Sequence, residues 1–83
     1  MRLIVTNPDH AKRISFYKLN RCIEAIDNNQ KVLALALYGE ANAYAEIYYE
    51  NTGDILDETP EYAGKIRYIY DNLLSGLLFE EVI

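Results

Sequence analysis

Residues 31–50, KVLALALYGEANAYAEIYYE, decide the fold because they satisfy two different patterns. The first pattern is a β-hairpin with strands at 31–38 and 41–50 and a turn at Gly39-Glu40. Its second strand alternates, with apolar residues on one face and asparagine, tyrosine and glutamate on the other. This alternation favours a half-buried strand, and we predict the hairpin.

The second pattern is a single helix from 31 to 51 that ends near Gly53. Ala, Leu and Glu are strong helix formers, so the local propensity supports this alternative. A helix would, however, expose Leu35 and bury Glu40. It would also leave a predicted strand at residues 2–6 (RLIVT) without a partner for its backbone groups.

The flanking segments carry helix-start signals. Asn7-Pro8-Asp9 combines an N-cap, a proline suited to the first helical position and an acid near the positive end of the macrodipole. We expect a helix from Pro8 to about Asp27, with one apolar face formed by Leu19, Cys22, Ile23 and Ile26. Thr59-Pro60-Glu61 repeats the signature and starts a second helix, whose apolar residues are Tyr62, Ile66, Ile69, Leu73 and Leu77.

The order strand, helix, strand, strand, helix predicts an α+β domain. Residues 1–83 would form one small domain of two layers, a three-stranded sheet with both helices on one face. The alternative is a three-helix bundle with a short N-terminal strand. Leu77–Ile83 is expected to be a last helical turn or an extended tail.

The charge is divided along the chain, whose net charge is −5. Residues 1–31 sum to +3 and residues 32–83 sum to −8. Seven of the eight tyrosines lie between Tyr38 and Tyr70, within the acidic half. Since tyrosine joins an apolar ring to a polar tip, this half combines anchoring side chains with carboxylates, as protein-binding surfaces do.

The polar face of the second predicted strand is the strongest candidate site. It would present Tyr44, Glu46, Tyr48 and Glu50, with a further acidic group nearby at Asp54, Asp57, Glu58 and Glu61. Such a surface fits a basic partner. We therefore expect a non-enzymatic inhibitor of a basic nucleic-acid-processing protein, such as a nuclease, a toxin or a host defence complex. A phage anti-defence protein whose carboxylates mimic phosphates, or an antitoxin, would be examples.

The first helix supports an alternative function, a repressor that binds DNA. Its basic residues are Lys12, Arg13, Lys18 and Arg21, with Tyr17 beside them. They could contact phosphates, and a homodimer would double their number and match a twofold site.

Catalytic and metal-binding signals are absent from the sequence. His10 and Cys22 are twelve residues apart on one predicted helix, roughly 18 Å along its axis, which is too far for a nucleophile–base pair. The chain has no nucleophile elbow, phosphate-binding glycine loop or EF-hand spacing. We expect no enzymatic activity, no cofactor and no metal. The lack of a membrane-length apolar run and of a signal peptide predicts a cytoplasmic protein.

In layout, the predicted element order and the basic-to-acidic charge order resemble the Phd/YefM-type antitoxins. Ala11-Lys12-Arg13-Ile14-Ser15 stands where that family's first helix carries an Ala-Arg-x-x-Leu-Ser-like run, and Gly39 stands in the predicted hairpin. The resemblance implies a dimerising, operator-binding N-terminal part and a C-terminal segment that covers a toxin. It transfers no site residue.

Overall fold

A computed structural model describes residues 7–74 of the chain as an all-helical structure. The predicted strand at 2–6 and the segment Leu77–Ile83 lie outside this range. The elements in chain order are α1 (Pro8–Asp27), α2 (Lys31–Thr52), a 3₁₀ turn (Leu56–Glu58), α3 (Pro60–Ile69) and a π-helical segment (Tyr70–Leu74).

The predicted α+β sheet is wrong, because the segment predicted to form the hairpin is the single helix α2. The described residues fit the alternative, a three-helix bundle. Ala34, Leu37 and Ala41 are spaced for one helical face and are buried. A helix satisfies its interior backbone groups internally, so residues 31–52 need no partner strand. The likeness in layout to the Phd/YefM-type antitoxins required a hairpin and is lost with it.

Of the two positions that counted against a helix, one behaves as expected. Leu35 is exposed, as expected, but Glu40 is exposed as well. Its carboxylate forms an ion pair of 2.9 Å with the Lys18 ammonium on α1. The helix therefore buries no carboxylate at this position.

The bounds predicted for α1 are confirmed, and local chemistry explains both ends. The Asn7 side chain accepts a hydrogen bond of 2.9 Å from the Asp9 backbone N–H. At the other end, Asn29 adopts the left-handed conformation with φ 60°. Its N–H donates to the Ile26 carbonyl, and the N–H of Gln30 donates to the Ala25 carbonyl. This is a Schellman motif, which turns the chain directly into α2.

A glycine ends α2 in a similar way. Gly53 has φ 78°, and its N–H donates to the Tyr49 carbonyl at 2.7 Å. The Thr52 hydroxyl donates to the Tyr48 carbonyl and accepts from the Asp54 N–H. Leu56 in the following 3₁₀ turn is buried, which anchors the connection to α3.

Small side chains allow α1 and α2 to pack closely as an antiparallel pair. Ser15 Oγ donates to the Ala41 carbonyl at 2.8 Å, and Cys22 Sγ donates to the Ala34 carbonyl at 3.1 Å. Each bond therefore joins a small polar side chain of α1 directly to the backbone of α2.

The third helix runs parallel to α1. Near its start, Tyr62 contacts Ser15, and near its end, Tyr68 donates a hydrogen bond of 2.7 Å to Asp27. The core cluster draws on all three helices and comprises Leu19, Cys22, Ala25, Ala34, Leu37, Ala41, Leu56, Tyr62, Ile69 and Leu73.

Candidate functional site

A groove of about 510 Å³ lies on the outer side of α1, beside the start of α3. Five residues along one side of α1 form most of it, and the N-cap and a first-turn residue of α3 complete it. The lining residues are Lys12, Arg13, Phe16, Tyr17, Asn20, Thr59 and Glu61. Cations, an exposed aromatic ring and amide and hydroxyl groups therefore meet over a partly apolar floor.

The floor of the groove is fixed by the core. Phe16 packs edge-to-face against Tyr62, with ring centroids 5.0 Å apart and an angle of 85° between the rings. Tyr62 is fully buried. Because aromatic pairs prefer this geometry, the contact holds the α1 wall of the groove against α3.

Tyr17 presents an aromatic ring on this surface, with 55% of its area exposed. Arg21 lies one turn further along α1, and its Nη1 donates a hydrogen bond of 3.2 Å to the Tyr17 hydroxyl. The Arg21 guanidinium carbon is also 6.0 Å from the centre of the Tyr17 ring, within cation–π range. We call the surface formed by Lys12, Arg13, Tyr17 and Arg21 the basic-aromatic face.

Lys18, the fourth predicted cation, does not belong to this face. It points towards α2, where it pairs with Glu40 and borders a smaller groove of about 300 Å³ with Ala43, Tyr44 and Ile47. The structure therefore brings together three of the four cations predicted to bind nucleic acid.

The four residues predicted to share a strand face are divided by the helix. Tyr44 and Tyr48 lie one turn apart and are half-buried, whereas Glu46 and Glu50 lie one turn apart and are exposed. Residues two apart on a helix point about 200° from one another, so the two pairs face different ways. The surface of alternating tyrosine and glutamate does not form.

The remaining predicted acidic residues are exposed around the α2–α3 connection. Asp54, Asp57 and Glu58 lie in it, and Glu61 lies in the first turn of α3. Sequence reasoning missed two apolar side chains in this region: Tyr49 is 50% exposed and Ile55 is 47% exposed. Within residues 7–74, no three His, Cys, Asp or Glu side chains are placed to hold a metal ion.

The single cysteine is part of the core. Cys22 is fully buried, and this burial raises the pKa of its thiol to about 11. At neutral pH it is therefore a thiol rather than a reactive thiolate. His10 is exposed at the start of α1, three turns away.

No family model, curated protein or solved structure matches this chain. Within the described range, none of the helices is long and apolar enough to cross a membrane.

Proposed function

We propose that this chain acts without catalysis as a binding protein for single-stranded nucleic acid, and that its basic-aromatic face is the contact surface. The observation that carries the proposal is the exposed Tyr17 ring, which Arg21 holds in place beside a groove lined by Lys12 and Arg13. The proposal keeps the residues of the predicted DNA-binding alternative, apart from Lys18.

The chemistry of this face suits a nucleotide strand. An exposed aromatic ring can stack on an unpaired base of any sequence, and neighbouring cations can bind the backbone phosphates. The one ion pair found among residues 7–74 joins Lys18 to Glu40. The cations of the basic-aromatic face therefore need not break an ion pair of the described structure to bind phosphate.

A single strand fits this face better than a duplex does. Stacking on Tyr17 requires a base that is not already stacked in a helix, and three cations provide few contacts to duplex phosphates. Operator binding, which a repressor requires, would need a second copy of the face. Duplex DNA is therefore tested beside the single strand.

The charge of the whole chain opposes binding and makes it sensitive to salt. The net charge is −5, and Glu61 stands at the groove itself. We expect affinity in the range of weak, sequence-independent binding, about 10⁻⁴ to 10⁻⁶ M. Such binding is measurable at low ionic strength.

Fluorescence anisotropy tests the proposal directly. The probes are a short labelled oligothymidylate and a labelled duplex of mixed sequence, each titrated with the full chain over a series of salt concentrations. We expect the single strand to bind more tightly than the duplex and its affinity to fall as salt rises. Absence of binding to both probes at low salt overturns the proposal.

Two matched pairs of variants locate the surface. Arg13→Gln and Lys18→Gln remove the same charge from the same helix, but only Arg13 lies on the basic-aromatic face. Arg13→Gln should lower the slope of log affinity against log salt by about 0.7, the value for one contact to a single strand, and Lys18→Gln should change it little.

Tyr17→Ala should weaken binding more than Tyr70→Ala, whose ring is also about half exposed. Equal losses within both pairs would place binding elsewhere.

A second candidate function is the binding of a basic protein, for example a nuclease or a toxin, at the α2–α3 connection. The exposed Tyr49 and Ile55 favour it, because they could anchor a partner among the carboxylates of Glu50, Asp54 and Asp57. In this form of the hypothesis the carboxylates take the place of phosphates.

The test of this second candidate is capture of basic proteins from a lysate. Wild type, Tyr49→Ala/Ile55→Ala and Tyr17→Ala serve as baits, with nuclease treatment to remove bridging nucleic acid. Loss of a partner with the double variant alone supports this candidate, and equal recovery on all three baits contradicts it. A cytoplasmic location belongs to either proposal, since a single buried thiol suits a reducing compartment.

A further inference from the structure

The outward face of α2 is apolar from Val32 to Ala43 and has no partner among the described residues; Glu46 and Glu50 continue the same side towards the end of the helix. Val32 is 83% exposed, Leu35 is 38% exposed, and Ala36, Gly39 and Ala43 are also exposed. Because residues at spacings of three and four share one side of a helix, these five form a continuous stripe. We call it the α2 stripe. Surface helices normally carry polar residues on this side.

We propose that the α2 stripe is the contact surface of a homodimer, in which α2 packs antiparallel against α2 of a second copy, crossing near Gly39. This inference is independent of the proposed function, because the basic-aromatic face lies on α1 and takes no part in the contact.

The centre of the stripe suits a close helix crossing. Gly39 has no side chain, and apart from its own stretch of α2 nothing in the described structure lies within 4 Å of the place where a Cβ would stand. Ala36 and Ala43 lie one turn to either side of it. Small residues at a crossing let two helix backbones approach closely, while Val32 and Leu35 supply apolar area beside it.

The charges of α2 favour an antiparallel arrangement and a second copy of the chain as the partner. Lys31 is the one basic residue of α2, whereas Glu46 and Glu50 lie in its second half. In an antiparallel pair centred on Gly39, position 31 stands opposite position 47. Each Lys31 is then close to Glu46 of the second copy. A parallel pair would instead place like charges together.

The helix ends add to this complementarity. Gln30, the N-cap of α2, makes no side-chain hydrogen bond to the first turn, so that turn retains free N–H donors. Glu46 of one copy would stand opposite this positive end of the other copy, whereas Glu50 would lie just beyond it. Glu40, at the edge of the stripe, is already paired with Lys18. The stripe is therefore self-complementary in both shape and charge.

Sedimentation analysis of the full chain from micromolar to millimolar concentration tests the proposal. We expect the mass to rise from 9.6 kDa towards twice that value. Gly39→Glu should weaken the dimer roughly 100-fold by placing two like charges at the crossing. Gly64→Glu is the matched control, because Gly64 is also an exposed helical glycine with open space around it. It should leave the dimer intact.

Charge exchange tests the orientation. Lys31→Glu and Glu46→Lys should each weaken the dimer, and the double variant should restore it. A wild-type chain that stays monomeric throughout the concentration range overturns the proposal. If the monomer is nevertheless destabilised by Gly39→Glu but not by Gly64→Glu, the stripe is covered by residues of the same chain. Neither result decides whether the basic-aromatic face binds single-stranded nucleic acid, which is measured separately with the Arg13 and Lys18 variants.

Discussion

The hydroxyl oxygens of Tyr62 and Ser15 lie 2.7 Å apart, although the two residues are 47 positions apart in the sequence. Ser15 donates its only hydroxyl proton to the Ala41 carbonyl at 2.8 Å, so Tyr62 is the donor in the bond between the two hydroxyls. All three residues are fully buried. One chain of hydrogen bonds thus joins α3 to α1 and α1 to α2.

Removing either hydroxyl should destabilise the fold. Ser15→Ala leaves the buried Tyr62 hydroxyl without its partner, and Tyr62→Phe leaves Ser15 without a donor. Each should lower the free energy of unfolding by about 1 to 3 kcal/mol. The double variant should lose less than the sum, because it leaves neither hydroxyl of the pair unsatisfied. Urea unfolding of the wild type, the two single variants and the double variant measures the coupling energy between the two hydroxyls. Strictly additive losses would contradict the prediction.

Two glycines should respond to alanine in opposite directions. Gly53 is left-handed, so Gly53→Ala should destabilise the chain by about 1 to 2 kcal/mol through backbone strain alone. Gly64 lies inside α3, where Gly64→Ala should stabilise by about 0.5 to 1 kcal/mol. Both positions have open space for a Cβ, so neither change creates a clash. Thermal unfolding checks the signs, and a shift in the same direction for both variants would refute the explanation.

Stability should fall in alkali because Cys22 ionises more readily in the unfolded chain. Burial raises the pKa of its thiol from 9.0 to about 11 in the folded chain. The contribution of the neutral Cys22 thiol to the free energy of unfolding is therefore constant below pH 9. It is lost as the pH rises from 9 to about 11, by at most about 1.4 kcal/mol per pH unit.

Cys22→Ser is the matched variant for this pH dependence, because it keeps a donor for the Ala34 carbonyl but does not ionise in this range. It should lack this part of the decline. A further decline remains in both proteins at higher pH, since burial also raises the pKa of Tyr62 above 10.0. Urea unfolding at a series of pH values compares the two slopes, and identical slopes between pH 9 and 11 would exclude Cys22 as the cause.

Neutralising Glu61 should strengthen the binding of single-stranded nucleic acid. Glu61 lines the groove, so Glu61→Gln removes a repulsive charge next to the proposed phosphate contacts. We expect a gain of about 0.5 to 1 kcal/mol at low salt. Glu58→Gln makes the same change of charge outside the groove and should have a smaller effect. Anisotropy titrations compare the two, and an equal gain from both would indicate a general effect of net charge.

Both ends of α1 and the start of α3 could be predicted from sequence because they depend on local chemistry, whereas the change from α-helix to π-helix at Tyr70 was not expected. Asn7 with Pro8 started α1 where expected, and Asn28-Asn29 ended it. Pro60 likewise occupies the start of α3, although Thr59 makes no side-chain capping bond. These signals act over a few residues and need no knowledge of tertiary contacts.

The structure of residues 31–52 could not be decided in this way. The alternation of apolar and polar residues matches the strand predicted at 41–50, yet Ala34, Leu37 and Ala41 also match one helical face. What distinguishes the two is the fit of Ala34 and Ala41 against Cys22 and Ser15, a contact between distant residues. The hairpin was predicted because a strand expected at 2–6 needs a partner, although the local propensity of residues 31–51 favours a helix.

The candidate site was predictable only in part, for the same reason. The spacing of Arg13, Tyr17 and Arg21 places them on one side of any helix, so their grouping follows from α1 alone. That Lys18 is drawn away to Glu40 depends on α2 packing against α1. The exposure of Tyr49 and Ile55 likewise depends on where α2 ends and how the connection turns.

The burial of Cys22 between α1 and α2 gives the chain a reporter of its own internal motion. A thiol reagent can modify this side chain only when the two helices separate, since the folded structure leaves it no exposed area. With reagent in excess, the rate of modification would measure how often the helix pair opens. The unmodified sequence therefore suffices to follow opening of the bundle, with no label introduced.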